Sequence, residues 1–308
     1  MKERPPRSHS SKKKTFPEKQ KSSKKVGFEE VGTWYDQCVQ DEGHLYHREL
    51  IFPKLKTILS QSKTLFDFGC GQGVAFRVLD QVSTYIGVDS SATLLKEAKN
   101  RARGQKVGSS RKSVWIQQDL CDTRLIPKGD ESTAANGNKD IVNAVSDLQA
   151  QAALEEVDLL FLLSLQNMSS LLPPLSLAGS IARKAKKSRL HLVLNHPCFR
   201  IPRQSHWGYD ESKKLQYRRI DRYNSPLEIP ITVGFNDNGQ TAASSMSYHS
   251  SLADIFHALA QAGFSTTRLE EWSSHKLSSG ARAKAENRAR REIPLFLYIE
   301  AELLSARR

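Results

Sequence analysis

Between residues 64 and 303 the chain alternates short apolar runs with blocks of helical period. Residues 64–68 (TLFDF), 84–88 (TYIGV), 114–118 (VWIQQ), 157–163 (VDLLFLL) and 190–195 (LHLVLN) have the length and continuity of strands buried on both faces. Residues 72–79 and 92–103 read as helices. In the second, Leu94, Leu95, Ala98 and Ala102 share one face, and Ser90 and Ser91 are placed to cap it. A further helix over 251–262 closes on Gly263, and 267–272 and 295–303 supply two last strands. Such strands, separated by helices, predict an α/β fold with a seven-stranded, mostly parallel sheet covered on both faces.

Ahead of this rhythm lies GTWYDQCVQDEGHLYHREL, with aromatic residues spaced among polar ones. Pro53 suits the first turn of a helix and not its middle, so one helix is expected to end near Ile51 and another to run from about 53 to 61. Two stretches interrupt the pattern. Residues 121–156 have a low-complexity look (GDESTAANGNKD) where about two to six residues would join the elements, which predicts a loop carrying a short helix. Residues 197–250 follow the fifth strand; within them 215–223 and 228–233 look like strands, and Asn236–Gly239 (NDNG) is a turn signal. Ligands of open α/β sheets bind at the carboxyl ends of the strands, so this β-rich insertion reads as a lid over a substrate.

Composition changes the picture in a few places. The chain has 308 residues, 38% of them hydrophobic, enough for one core domain with insertions or for two domains at ~150 residues each. No run approaches the ~20 apolar residues of a membrane-spanning helix, and the basic N-terminus has no apolar stretch behind it, so neither membrane insertion nor secretion is expected. Cys38, Cys70, Cys121 and Cys198 are far apart and show no zinc-type pairing, which fits a reducing, cytoplasmic setting. The formal charge of +13 belongs to two segments: residues 1–25 carry +8 and residues 276–291 carry +5. The first reads as a disordered basic tail preceding a single domain over 26–308, and the second as a segment helical toward its end. Either could be a solvated surface or a contact for nucleic acid.

The most informative line is Asp67-Phe68-Gly69-Cys70-Gly71-Gln72-Gly73. A strand runs into G-x-G-x-G and then into a helix; the glycines permit a tight turn and a close approach of backbone to ligand. A dinucleotide-binding loop would place its third glycine at position 74, which is Val74. A second acid, Asp89, ends the next strand, where a carboxylate can accept both hydroxyls of a ribose, and a third, Asp119, ends the one after. Each acid alone could merely cap a turn or end a strand. Three at the ends of three successive strands point to a nucleoside-containing ligand other than NAD.

These residues resemble the class I S-adenosylmethionine-dependent methyltransferases. Residues 67–73 match the first motif of that family, Ile86-Gly87-Val88-Asp89-Ser90 looks like the second, and Gln118-Asp119-Leu120 like the third. The resemblance implies a Rossmann-like sheet with its last strand antiparallel, and S-adenosylmethionine as cofactor. It implies that Gly69, Gly71 and Gly73 lie against the methionine part, that Asp67 holds its amino group directly or through water, and that Asp89 with Ser90 holds the ribose. Asp119 with Leu120 would take the adenine. The fourth-strand end, Leu163-Ser164-Leu165-Gln166-Asn167-Met168, has the shape found in small-molecule members, with Ser164 at the cofactor.

Methyl transfer from a sulfonium mainly requires alignment of donor and acceptor, so no conspicuous nucleophile or metal cluster is expected. His44 and His47 could share a helix face but lack a third ligand at a recognisable spacing. On the acceptor side, Asn195-His196-Pro197-Cys198-Phe199 follows the fifth strand. His196 is a candidate general base, or a histidine that only hydrogen-bonds its loop. In the lid, Arg203, Trp207, Tyr217 and Arg219 are candidate acceptor contacts, with an internally paired sheet as the plainer reading. Tyr35, beside Trp34, could fold over the cofactor or pack in the core. A small or medium-sized acceptor with an O or N nucleophile is the first expectation. The alternatives are an RNA methyltransferase gripping phosphates with its basic segments, and a binding module that takes the cofactor without catalysis.

Overall fold

The structure is a computed structural model that describes residues 43–104, 111–122, 139–150, 154–235 and 241–304. The strands are β1 (Thr64–Phe68), β2 (Thr84–Asp89), β3 (Lys112–Gln117), β4 (Glu156–Leu162), β5 (Lys187–Asn195), β6 (Ser205–Asp210), β7 (Leu215–Ile220), β8 (Leu227–Phe235), β9 (Thr241–His249), β10 (Phe264–Trp272) and β11 (Phe296–Leu303). The helices are α1 (Phe52–Ile58), α2 (Val74–Val78), α3 (Ala92–Gly104), α4 (Lys139–Ala150), α5 (Leu172–Ala182), α6 (Leu252–Gln261) and α7 (Ala283–Glu292).

Seven strands form one sheet in the order β10-β11-β5-β4-β1-β2-β3. Neighbours pair in parallel except β11, which runs antiparallel to both β5 and β10. All five residues of β1 are buried, as a central parallel strand covered on both faces requires. Phe66 and Phe68 point to one face, with Ile86, Val88 and Phe161 and the apolar residues of α4, α5 and α6. Leu65 points to the other, with Tyr85, Leu160, Val193 and Tyr298 and the buried face of α1. The strand order reverses direction next to β1, between β1 and β4, which opens a crevice at the carboxyl ends.

Local chemistry accounts for most boundaries. Ser251 caps α6 by accepting from Asp254 N while Asp254 returns a bond to Ser251 N, and Gly263 follows the helix at φ 91°. The α4 helix buries Ile141, Val145 and Leu148 along one stripe, the short helix expected inside the low-complexity stretch. The break expected at Pro53 is instead a change of winding. Residues His47–Ile51 form a π turn, with Phe52 N–H donating to His47 O, and α1 continues from it with Pro53 in its first turn. Gly73, left-handed at φ 73°, delays the helix after the glycine loop, so α2 starts at Val74 rather than 72.

The insertion after β5 is two antiparallel hairpins, β6–β7 and β8–β9. The Asn236–Gly239 turn falls outside the described residues, as do Trp34, Tyr35 and the 1–25 segment. Tyr223 ties the insertion down: its hydroxyl accepts from Leu252 N at 2.9 Å, and its carbonyl oxygen lies 2.7 Å from His249 Nε2. The β6–β7 hairpin packs on α7, and β9 packs on the 3-10 turn Leu165–Asn167. Among the described residues no helix is long and apolar enough to cross a membrane.

Candidate cofactor site and acceptor face

The loop leaving β1 is built by backbone bonds that only a glycine-rich chain can make. Gly69 N and Cys70 N both donate to Val88 O, at 2.7 and 3.1 Å, folding the loop back over β2. Gly69, Gly71 and Gly73 all have positive φ (74°, 54° and 73°). A Cβ on Gly69 would stand 2.5 Å from Ser164 Cβ, so the loop and the end of β4 are in direct contact there. Ser164 secures that contact by donating its hydroxyl to Phe68 O at 2.5 Å.

Asp89 closes the loop from the other side. Its Oδ2 accepts from Gly71 N at 2.8 Å and its Oδ1 from Ser91 N at 2.9 Å, and Ser91 Oγ accepts from Leu94 N at the start of α3. One carboxylate therefore joins the glycine loop, the end of β2 and the first turn of α3. Its negative charge lies against backbone N–H groups at a helix N-terminus, where it is favoured.

Between these elements lies a cleft of about 860 Å³, open to solvent. Gly69, Gly71, Asp89 and Ser90 line one side; Gln118, Asp119, Leu120 and Cys121 line the end of β3. Leu162, Leu163, Ser164, Asn167 and Met168 line the end of β4, where Leu163 holds a left-handed backbone at φ 55°. Asp119 Oδ1 accepts from Cys121 N at 2.9 Å, which turns the chain beside the cleft.

Of the nine residues expected at a cofactor, seven line this cleft: Gly69, Gly71, Asp89, Ser90, Asp119, Leu120 and Ser164. The other two sit behind it. Gly73 packs beneath the Trp115 indole, which a Cβ would meet at 2.6 Å. Asp67 is 1% exposed on the opposite side of β1 from Phe68, and its Oδ2 accepts from the Tyr85 hydroxyl at 2.6 Å. Burial, together with the Asp89 charge and against the Tyr85 bond, pushes its carboxyl up to about 7, and its Oδ1 has no hydrogen-bond partner.

The acceptor side departs further from the sequence expectations. His196 Nδ1 accepts from Cys198 N at 3.2 Å and its Nε2 lies 2.7 Å from Glu271 Oε1. With Nδ1 accepting, Nε2 carries the proton and donates it to Glu271, so both nitrogens are engaged. These bonds hold the loop after β5, and burial lowers the His196 pKa against the raising effect of Glu271. Arg203, Trp207, Tyr217 and Arg219 do not line the cleft. Trp207 takes the Arg218 guanidinium over its ring at 5.0 Å, Tyr217 covers Gly208 across the hairpin, Arg219 pairs with Asp221 at 3.3 Å, and Arg203 is exposed. The insertion reaches the cleft through its second hairpin, by Tyr248 of β9. The sequence offers little signal for Tyr248, which stands in a polar run, SSMSYHS, with no apolar period.

His44 and His47 stack with ring centroids 3.9 Å apart and do not converge on a common point. Among the described residues no group of three or more His, Cys, Asp or Glu side chains is arranged to hold a metal.

A mostly parallel sheet with this reversal of strand order, a left-handed glycine loop and an acid ending β2 define a Rossmann-like fold. The family model described as "Methyltransferase domain" matches residues 66–157, from β1 through the start of β4. The matched segment marks a methyltransferase domain, and the sheet around it has the Rossmann-like methyltransferase fold. The fold is similar to that of an S-adenosylmethionine-dependent methyltransferase from Clostridium acetobutylicum (12% identity, TM-score 0.50, 90% of this chain and 99% of that one). It is also similar to a Listeria monocytogenes protein assigned to the same class (20% identity, TM-score 0.50, 81% and 98%). None of the curated proteins matches the chain.

Proposed function

We propose that the protein transfers the sulfonium methyl of S-adenosylmethionine to an oxygen or nitrogen of a small or medium-sized acceptor, in the cleft at the carboxyl ends of β1, β2 and β4. The observation that carries this reading is the junction at Asp89, whose carboxylate lines the cleft while accepting from Gly71 N and Ser91 N.

The residues present fit the cofactor. The Gly69 position is a cradle that a Cβ would fill, which leaves backbone against the methionine part. A carboxylate offers about four lone-pair sites, and Asp89 is assigned the two ribose hydroxyls, with Ser90 beside it. Asp119 and Leu120 take the adenine. Asp67, with Oδ1 unpartnered, is assigned the amino group through water and acts from behind the loop. Gly73 and Ser164 shape the loop, the first against Trp115 and the second through Phe68 O.

The cofactor supplies the electrophilic methyl and its own leaving group, so the protein's part is alignment and exclusion of water. Leu162, Leu163 and Met168 give the cleft an apolar wall on the β4 side, and Tyr248 brings the insertion to it. The test is incubation with methyl-labelled cofactor and fractionated cell extract. Label entering a low-molecular-weight fraction supports the reading, label in RNA replaces the acceptor class, and no transfer above a heat-treated control contradicts catalysis.

A further inference from the structure

A second cluster lies on the loop after β5 and the start of β11, outside the residues assigned to the cofactor. The Arg200 guanidinium stands 4.9 Å from the centre of the Phe296 ring, and its Nη1 is buried without a hydrogen-bond partner. The Phe296 ring packs against Tyr46, with centroids 5.5 Å apart, and Lys276 Nζ lies 5.1 Å over the Tyr46 ring. Arg218 comes in from β7, donating from Nε to Phe199 O and from Nη2 to Ser205 Oγ, both at 2.8 Å.

None of these three cations has an acid partner among the described residues. The carboxylates on neighbouring elements are engaged elsewhere: Glu271 with His196, Glu49 with His275, and Glu211 with Arg282 and Lys214. Burial lowers the proton affinity of Arg200, Tyr46 partly offsets that, and the Arg218 charge adds to it. Stacking on an aromatic ring accounts for Lys276 over Tyr46. It supplies no acceptor to Nη1 of Arg200, and an unpaired, partly desolvated guanidinium is the group a bound anion would satisfy.

The position suits an acceptor. Phe296 pairs with Asn195 at the carboxyl end of β5, and β5 adjoins β4, whose end lines the cofactor cleft. Two strand spacings of about 4.8 Å separate β11 from β4, roughly 10 Å in all.

Resting on the methyl-transfer reading above, we propose that Arg200, supported by Lys276 and Arg218, anchors an acidic group of the methyl acceptor. The substrates are then small carboxylic acids or phosphate monoesters. One guanidinium fork with two flanking cations over two rings is a compact site for one oxyanion. A polynucleotide would call for a longer basic groove with exposed stacking faces.

The test is a titration of the full chain, labelled with ¹⁵N at arginine side chains, followed by NMR. Phenyl phosphate, benzoate, neutral benzamide and a short oligouridylate are added separately at constant ionic strength. The Arg200 signal is assigned from Arg200→Lys, which keeps the charge and loses the fork. The expected result is a saturable shift of that signal with phenyl phosphate or benzoate, whichever group the site prefers, and none with benzamide. Lys276→Ala should weaken the effect about fivefold, equivalent to about 1 kcal/mol.

Absence of a saturable shift with both small anions, an equal response to benzamide, or a response to oligouridylate alone would overturn the proposal. Binding of S-adenosylhomocysteine is measured in a separate titration, so loss of the cofactor reading and loss of the anion site appear in different experiments.

Discussion

The Asp89 carboxylate accepts from the backbone N–H of Gly71 at 2.8 Å, so the acid assigned to the ribose also fixes the loop assigned to the methionine part. Removing it should act twice. Asp89→Ala loses the ribose acceptors and frees the loop; with charged hydrogen bonds worth about 1.5–3 kcal/mol each, S-adenosylhomocysteine should bind roughly 100-fold or more weakly. Asp89→Asn, which keeps one acceptor oxygen, should fall between the two. Calorimetry reads the difference, and an unchanged affinity in Asp89→Ala would remove the assignment.

Gly69→Ala places a Cβ against Ser164 Cβ at 2.5 Å, on a residue with φ 74°. The strained conformation and the collision should cost about 1–3 kcal/mol of stability and displace the loop from its bond to Val88 O. Chemical denaturation checks the stability, and the same protein should show weakened cofactor binding.

Asp67 makes a signed prediction for pH. Its carboxyl is raised from 3.8 to about 7, so the folded state holds a proton that the unfolded chain has released. The contribution is greatest below the unfolded value and is lost as pH rises toward about 7, by up to about 1.36 kcal/mol per pH unit. His47, lowered by burial and by His44 to about 3, slopes the opposite way, which makes the wild-type curve alone uninformative. The difference between wild type and Asp67→Asn isolates the term. Between about pH 5 and about pH 7 the wild type should lose about 2 kcal/mol relative to the variant. A parallel pair of curves would show that Asp67 is ionised throughout.

Tyr248 is the described residue of the insertion that lines the cleft, and its ring should help hold the cofactor or cover it. Tyr248→Ala should leave the fold intact and weaken S-adenosylhomocysteine by roughly tenfold, about 1.4 kcal/mol, expressed mainly as faster release. Stopped-flow displacement measures it; an unchanged off-rate would place the hairpin outside the binding event.

The sheet and the cleft at the glycine loop were legible because they depend on local signals. Asp67, Asp89 and Asp119 stand at strand ends that hydrophobic runs mark plainly, and glycine at 69, 71 and 73 is demanded by backbone geometry. What escaped depends on contacts far apart in sequence. Only the fold brings Glu271, 75 residues away, to Nε2 of His196 while Cys198 N takes its Nδ1. That Asp67 is buried behind the loop, with Tyr85 on one of its oxygens, depends on the pairing of β1 with β2. The α5 helix was not singled out, its start being marked by Pro173 and Pro174. The β9 strand is polar and small, held by pairing with β8 rather than by an alternating pattern of its own. In the first hairpin the plainer reading, an internally paired sheet, matches what is seen: Arg219 pairs with Asp221 at the surface, while Arg218 turns toward Phe199 and Ser205.

The most direct measurement is a calorimetric titration of the full chain with S-adenosylmethionine and, separately, S-adenosylhomocysteine. One site per chain is expected for both, with binding strongly reduced in Asp89→Ala. No heat with either compound at about millimolar concentration, from protein shown to be folded, would contradict the assignment of the cleft between Gly69, Asp89 and Asp119 as a cofactor site.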